Sequence, residues 1–216
     1  PVTVVESGAA SQQVDPCAHL GESLHISADT MSVLDLPVAD HVARSTDVAK
    51  TTIASIGTTR FDTPSGGPPT PLSPTADEDQ VALYSERVLS AVVLNVTTQY
   101  KGSSVTGYVV MRSGGTSALC PDYTYEIDPQ PITGAVGDTV MALLVDVDSD
   151  IAAYNPPWLQ YLTAVAAQLS VGGATYVVKM PANWYLYQGS AATSASSSAP
   201  IAVAQLELEI EEATEN

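Results

Sequence analysis

RVLSAVVLNVTTQY, residues 87–100, is the stretch that decides the fold, because it is dense in β-branched and other apolar residues. Such residues favour the pleated, buried environment of a β-strand. A short Lys101-Gly102 turn separates it from SSVTGYVVMR, residues 103–112, which has the same character. Two such runs joined by a glycine-containing turn predict a β-hairpin, and the first run reads as a buried strand.

Further runs of the same kind predict a protein built mainly from strands. They are LHIS (24–27), MSVLDL (31–36), KTTIASI (50–56), DYTYEI (122–127), DTVMALLVDV (138–147), VGGATYVVKM (171–180), NWYLYQ (183–188) and PIAVAQLELEI (200–210). In the last of these, apolar residues alternate with Gln205 and the glutamates from Glu207 onward. This period of two predicts a half-buried strand whose acidic side faces water or a partner.

One segment, NPPWLQYLTAVAAQL (155–169), departs from the β pattern. Asn155 is suited to an N-cap and Pro156 to the first helical position. Trp158, Leu162, Val165 and Leu169 then recur at helical spacing, so a short helix near residues 156–169 is favoured over a strand. The fold class predicted is all-β: a jelly-roll β-sandwich or barrel of about eight strands with this one helix.

The predicted domain organisation is an extended N-terminal arm, residues 1–23, followed by a single domain over residues 24–216. The segment DTPSGGPPTPLSPTADED, residues 62–79, is rich in Pro, Gly and Asp and predicts a projecting loop within that domain. Cys17 and Cys120 lie far apart in the sequence, and they either form a disulfide or remain two buried thiols.

The charge balance excludes some functions. The chain has 24 acidic residues against 7 Lys and Arg, a net charge of −17. Direct nucleic-acid binding needs clustered cations, and an anionic membrane surface would repel the chain. No apolar run reaches the roughly 20 residues that span a bilayer. An acidic surface with few lysines is typical of halophilic proteins, because concentrated salt screens the self-repulsion. The alternative is an ordinary acidic extracellular protein.

The acidic run DVDSD, residues 146–150, predicts a candidate metal site. Asp146, Asp148 and Asp150 stand at alternate positions and offer the oxygen ligands that Ca²⁺ prefers, or a site for Na⁺. An EF-hand is excluded, because its sixth and twelfth positions fall on Ile151 and Pro157. The alternative interpretation is a strand end that runs into an acidic loop.

The sequence contains no motif typical of an active site or a cofactor site. There is no G-x-S-x-G elbow, P-loop or dinucleotide loop, so we expect no enzyme and no organic cofactor. His19, His25 and His41 lack zinc-site spacing. The sequence Asn95-Val96-Thr97 matches the N-glycosylation sequon, but it falls inside the predicted core strand, where a glycan would not fit.

The layout resembles viral single jelly-roll capsid proteins. The part that carries the resemblance is VALYSERVLSAVVLNVTTQYKGSSVTGYVVMR (81–112) with the terminal run 200–210, about half the chain. The resemblance implies a structural virion shell subunit. Such a subunit self-assembles into capsomers with copies of itself and with other capsid subunits.

The chain lacks the basic arm of many RNA-virus coat proteins, which implies no direct genome contact. This is more like the membrane-containing icosahedral viruses of halophilic archaea. In those viruses upright jelly rolls form a capsid above an internal lipid vesicle. The location implied is the virion.

Two alternatives stay open. One is a secreted or cell-surface β-sandwich that binds carbohydrate or a protein ligand, with the tyrosines and Trp184 as an aromatic platform. The other is an enzyme on a β scaffold that uses acids such as Asp146 and Asp148, although no carboxylate pair is marked out by the sequence.

Overall fold

The computed structural model describes six segments of the chain, residues 15–21, 23–27, 36–71, 86–128, 132–194 and 199–215. These segments form twelve strands and four helices. The strands are β1 Ser23–Ser27, β2 Asp47–Ile56, β3 Arg60–Phe61, β4 Val88–Lys101, β5 Gly107–Ser113, β6 Gly115–Ser117, β7 Cys120–Asp128, β8 Thr139–Val145, β9 Tyr176–Val178, β10 Met180–Gln188, β11 Ala191–Ser194 and β12 Ile201–Ala202. The helices are α1 Val38–Arg44, α2 Ser149–Tyr154, α3 Pro157–Leu169 and α4 Val203–Glu215.

Nine of the strands form one large mixed sheet. Its order is β12-β11-β10-β8-β2-β4-β5-β9, and β3 pairs with β4 beside this path. The predicted hairpin is confirmed, since β4 and β5 are antiparallel and Leu94 faces Tyr108 across the pair. A second sheet of three strands has the order β1-β7-β6, with β1 parallel to β7.

The large sheet is strongly curved. At one end β9 pairs in parallel with β5, and a single residue, Lys179, then leads into β10, which pairs with β8. The chain thus links two distant positions in the strand order, and the sheet bends around one of its faces. The ladders between the described strands do not close into a barrel.

Each face of the large sheet is buried differently. The concave face encloses a core of side chains from the sheet itself, which includes Ile53, Leu94, Tyr108, Leu144 and Trp184. Alternate residues of the same strands point to the convex face, as expected from the period of two in a strand. Helices cover that face in two places.

The two helical covers are separate. α3 lies over the β4–β5 side, where its Trp158 and Leu162 pack against Leu89 and Val109. α1 and α4 lie together over the β2–β8–β10 side, where Leu206 of α4 packs in the same cluster as other apolar side chains of the convex face. Both faces of the sheet are therefore apolar, which explains why strands such as β8 lack a polar alternation.

The predicted helix near residues 156–169 is confirmed as α3, but its start differs from the prediction. Pro156 is the N-cap and Pro157 is the first helical residue. Asn155 does not cap α3; it ends the preceding helix α2 in a left-handed conformation, with φ 50°. Asn tolerates this conformation better than most residues, so the same residue type suits both ends of a helix.

The prediction of a strand over residues 200–210 is wrong beyond Ala202. Only β12 is extended, and Val203–Glu215 form α4. Leu206 and Ile210 are buried, while Leu208 is 48% exposed, as a helical spacing of four requires. The alternating pattern and the helical pattern share positions 206 and 210. Leu, Glu, Ala and Gln are strong helix formers, and they decide between the two.

The fold is therefore mostly β, as predicted, but it carries three helices that were not predicted, α1, α2 and α4. Of the predicted loop at 62–79, the described part, residues 62–71, holds no helix or strand, and Asp62, Gly66 and Pro69 in it are buried. Residues 1–14 of the predicted arm, residues 72–79 of the loop and most of the predicted strand at 31–36 lie outside the described residues.

Candidate functional site

The most highly organised polar cluster lies at one end of the large sheet. Asp47 is the first residue of β2, Lys179 separates β9 from β10, and Asp146 directly follows β8. Because β2 and β10 both pair with β8, and Leu144 and Val145 pair with Asp47 and Met180, these three side chains meet. We refer to Asp47, Asp146 and Lys179 as the β8-end cluster.

Lys179 is the centre of the β8-end cluster. Its Nζ lies 2.6 Å from Asp146 Oδ1, 3.3 Å from Thr46 Oγ1 and in direct contact with Asp47 Oδ2. The Lys179 side chain is 12% exposed and that of Asp47 only 5%, whereas that of Asp146 is 71% exposed. The ion pair between Lys179 and Asp47 is thus buried, and Asp146 closes it on the solvent side.

The concave core contributes a hydrogen-bond donor to Asp47. The Tyr108 hydroxyl lies 3.1 Å from Asp47 Oδ1 and 3.0 Å from Gln99 Oε1, so its single proton is shared between two acceptors. Gly102, in the turn between β4 and β5, has a φ of +96°, and a Cβ there would overlap the Asp47 carboxylate. The hairpin turn therefore requires glycine both for its backbone and for the room that Asp47 occupies.

The electrostatics favour the protonated form of Lys179. Burial lowers the pKa of Lys179, but the hydrogen bonds and charges of Asp146 and Asp47 outweigh burial, and the net shift is upward. Burial also raises the pKa of Tyr108, with the nearby Asp47 charge acting in the same direction. A nucleophilic lysine needs a lowered pKa. The arrangement instead suits a buried ion pair that fixes β2 against the β9–β10 connection.

The three aspartates predicted as a metal site have separate roles. Asp146 binds Lys179, and Asp148 is the N-cap of α2, where its Oδ1 accepts from Asp150 N at 2.8 Å and Ile151 N at 3.4 Å. Asp150 lies in the first turn of α2, where a negative charge is favourable. Within the described segments no group of three or more His, Cys, Asp or Glu side chains is arranged to hold a metal. The metal site stays a prediction.

Asp62 is a second buried acid. Its Oδ2 lies 4.0 Å from Arg87 Nη1, and no described residue hydrogen-bonds its buried Oδ1. Burial raises the pKa of this carboxyl, opposed chiefly by the charge of Arg87. Arg60, in the adjacent strand β3, lies over the Tyr161 ring, 4.6 Å from the centroid, and this cation–π contact ties β3 to α3.

Cys17 and Cys120 form a disulfide, which resolves the alternative that the sequence left open. The bond joins residues 15–21 to the three-stranded sheet, beside a cluster that contains Phe61, Tyr123 and Tyr125. An open cleft of about 340 Å³ surrounds the disulfide, with Asp15 and Asp122 in its lining. Disulfides form and persist in oxidising compartments and on virion or cell surfaces.

The aromatic residues that the structure describes do not form a surface platform around Trp184. Trp184 is 2% exposed and belongs to the concave core, and Tyr123, Tyr125 and Tyr185 are buried as well. Their role is packing, as the stacked rings of Phe61 and Tyr123 illustrate at 5.8 Å between centroids. Carbohydrate binding through Trp184 therefore has no exposed ring to use.

The sequon Asn95-Val96-Thr97 is not buried, contrary to the prediction. The first seven residues of β4 are buried, but Asn95 and Thr97 are exposed and Val96 is half-buried. The apolar composition of residues 87–100 predicted burial along the whole strand. Burial ends at Asn95 because the helices that cover the convex face do not extend over the middle of β4.

Sequence reasoning missed the β8-end cluster because its members are far apart in the chain and belong to no motif. The one available signal was Lys179, one of only three lysines, placed within an otherwise apolar predicted strand. A lysine in such a place needs a buried partner.

No family model, curated protein or solved structure matches the chain. In the described part of the chain, none of the helices is long and apolar enough to cross a membrane.

Proposed function

We propose that the protein is a structural subunit that self-assembles into an extracellular shell, most specifically a virion capsid. The observation that carries the proposal is α2, a helix that buries none of its residues and leaves Ile151 and Tyr154 in solvent. Tyr154 is 65% exposed.

α2 is too short to be stable by itself. Helices of fewer than about 12 residues depend on the packing of an apolar face, and this one has six residues. Within the chain its support is the Asp148 N-cap and the left-handed Asn155 at its end. A neighbouring subunit that covers Ile151 and Tyr154 supplies the packing that α2 lacks.

Other exposed apolar side chains lie on separate elements, which suits a subunit with several neighbours. Val171 follows α3, Leu119 is in the β6–β7 turn, Val136 precedes β8 and Leu208 is on α4. Each of these side chains is at least 48% exposed. A shell subunit needs contacts on more than one side, and stable interfaces of this kind bury at least about 1,200 Å² in total.

The jelly-roll relation and the halophilic character belong to this proposal. The curved, mainly antiparallel sheet supports a relation to jelly rolls. The parallel pairs β1–β7 and β5–β9 and the four helices depart from that fold. A net charge of −17 supports assembly at high salt, where the Debye length falls to about 3 Å at 1 M. In this proposal the partners are other shell subunits and not nucleic acid, and an internal membrane lies near the inner surface.

A secreted or cell-surface binding module is the second candidate. The Cys17–Cys120 disulfide supports this candidate as well as a virion, because disulfides persist in secreted and cell-surface proteins. The buried Trp184 narrows this candidate to ligands that do not stack on that ring. The two candidates differ in assembly, since a binding module is expected to stay monomeric.

Light scattering from about 0.1 M to 3 M NaCl, with and without a chelator of divalent cations, tests the proposal, since salt controls the repulsion between acidic subunits. We expect trimers, hexamers or larger shells to appear as salt rises. The double variant Ile151→Ser with Tyr154→Ser should remain folded and lose assembly. Ala153→Ser, also exposed on α2, is the matched control and should assemble normally. A folded monomer at every salt concentration would overturn the capsid proposal and favour the binding module.

The measurements with chelator test whether assembly depends on the predicted metal site. If cations bound at Asp146, Asp148 and Asp150 bridge subunits, chelation and the variant Asp150→Asn should both weaken assembly. Asp150 is the suitable position, because Asp146 and Asp148 already bind Lys179 and the α2 N-terminus. Assembly that is indifferent to both changes would remove cation bridging at these residues from the proposal.

A further inference from the structure

We propose that Asn95 is an acceptor site for N-linked glycosylation. Asn95-Val96-Thr97 has the required residue types, with threonine at the third position and no proline between. Both Asn95 and Thr97 are exposed in the folded chain.

The position of Asn95 on the sheet leaves space for a glycan. On the convex face, α3 covers the first part of β4 through Leu89 and Ala91, and the cluster that contains α4 includes Tyr100 near its end. Asn95 and Thr98, both exposed, lie between these two covers. A sugar attached here would extend from the gap between the helices, and among the described residues none buries Asn95.

The backbone at the sequon is already irregular. Lys50 of β2 pairs with Thr98, and the next residue, Thr51, pairs with Val96, so Thr97 is an extra residue in the β4 ladder. This β-bulge interrupts the regular pairing and is a device that redirects side chains in a strand. The Thr97 hydroxyl donates to the Lys50 carbonyl oxygen at 2.9 Å, which fixes the bulge after folding.

In the folded chain, the contacts of the Asn95 amide are compatible with a sugar bonded to Nδ2. The Tyr176 hydroxyl donates to Asn95 Oδ1 at 2.7 Å, and no described residue accepts a hydrogen bond from Nδ2. Tyr176 reaches Asn95 across Gly107, where an added Cβ would come within 2.6 Å of the tyrosine ring. Nδ2 is the atom that bonds to sugar, and the half-buried Tyr176 ring gives the first sugar an apolar surface beside the attachment point.

The modification is a group transfer from a lipid-linked oligosaccharide, catalysed by a membrane oligosaccharyltransferase. Asn95 Nδ2 forms a bond to the anomeric carbon of the first sugar. The bond from that carbon to the lipid phosphate oxygen breaks, the lipid phosphate leaves with the electron pair, and the amide loses one proton. The transfer occurs on the unfolded chain during translocation, so the later strand structure does not hinder it. The Cys17–Cys120 disulfide is in keeping with such a compartment.

The test is to secrete the full chain from a cell that has an oligosaccharyltransferase and to measure the intact mass and the peptide that contains Asn95. We expect a mass above that of the polypeptide, and enzymatic removal of the glycan should leave aspartate at position 95. Asn95→Gln and Thr97→Ala should abolish the added mass, whereas Thr97→Ser should keep it. Thr98→Ala is the matched control, since it changes the adjacent exposed threonine outside the sequon.

Cell-associated chain is analysed together with secreted chain, because the glycan is added before export and is detectable in variants that fold poorly. A translocated chain with its disulfide formed and Asn95 unmodified would overturn the proposal. This outcome is independent of assembly, since light scattering of unglycosylated protein tests the shell proposal separately.

Discussion

Two lysines of this protein form ion pairs in contrasting surroundings. Lys179 is 12% exposed and bridges Asp47 and Asp146 at the end of β8. Lys50, on the convex face of β2, is 31% exposed and lies 2.7 Å from Glu207 of α4. The third, Lys101, donates to the Val42 carbonyl oxygen at 2.9 Å, near the end of α1. With so few cations in a strongly acidic chain, each lysine has a defined partner.

The two ion pairs have similar geometry but should contribute differently to the free energy of unfolding. Glu207 also accepts from the Tyr187 hydroxyl at 3.1 Å, and Lys50 lies 5.5 Å from the Tyr187 ring centroid. Solvent and salt nevertheless screen this exposed pair. Removing one member of the buried pair leaves an uncompensated charge in the core. The buried pair Lys179–Asp47 should therefore control the stability of the sheet, and the exposed pair Lys50–Glu207 should only adjust the position of α4.

The largest effect is expected for Lys179→Met. The substitution leaves Asp47 charged and buried, so the free energy of unfolding should fall by about 3–5 kcal/mol. Urea denaturation at neutral pH measures the loss. The double variant Asp47→Asn with Lys179→Met removes both charges and is the control, and it should recover much of the stability. A loss below about 1 kcal/mol for Lys179→Met would mean that the pair behaves like an exposed one.

The same pair predicts how stability depends on alkaline pH. Because the pKa of Lys179 is raised in the folded protein, its stabilising contribution is fully present below the unfolded value, 10.5, and is lost as pH rises through the folded pKa. The difference in unfolding free energy between the wild type and Lys179→Met should therefore shrink above about pH 10.5. A difference that stays constant there would contradict the assignment.

A loss of unfolding free energy of intermediate size is expected for Leu206→Ala on α4, and Leu208→Ala is its matched control. Leu206 is fully buried and Leu208 is 48% exposed. Leu206→Ala should cost about 2–5 kcal/mol, because it leaves a cavity beneath the helix. Leu208→Ala should change stability by about 0.5 kcal/mol or less. Thermal or urea unfolding of the two variants is the measurement. Equal losses would indicate that residues 204–210 form a strand with both leucines on one face.

The smallest effect is expected for Lys50→Met, which should lower the unfolding free energy by about 0–1 kcal/mol in dilute buffer. Methionine keeps an apolar stem in contact with Tyr187, so the change reports mainly on the charge. Repeating the unfolding measurement near 1 M salt should remove the difference, because the Debye length there is about 3 Å. A loss as large as that for Lys179→Met would erase the contrast between the two pairs.

The strands could be predicted where one local pattern allowed a single interpretation. The β4–β5 hairpin, β8 and β10 follow from dense β-branched or aromatic runs and the glycines between them. The C-terminal run allowed two interpretations, because Leu206 and Ile210 fit both a period of two and a spacing of four. The choice between strand and helix depends on which surface of the folded chain this run packs against. The convex face of the sheet offers an apolar surface, and α4 packs on it.

By itself the sequence determined the mostly β architecture, the helix α3 and the acidic character, since these depend on residue types and near neighbours. Only the tertiary structure decided that Lys179 meets Asp47, that Cys17 pairs with Cys120 and that Asn95 is exposed. Each of these results depends on how strands and helices that are distant in the chain pair and pack, which brings some residues together and leaves others uncovered. Local periodicity carries no information about that packing.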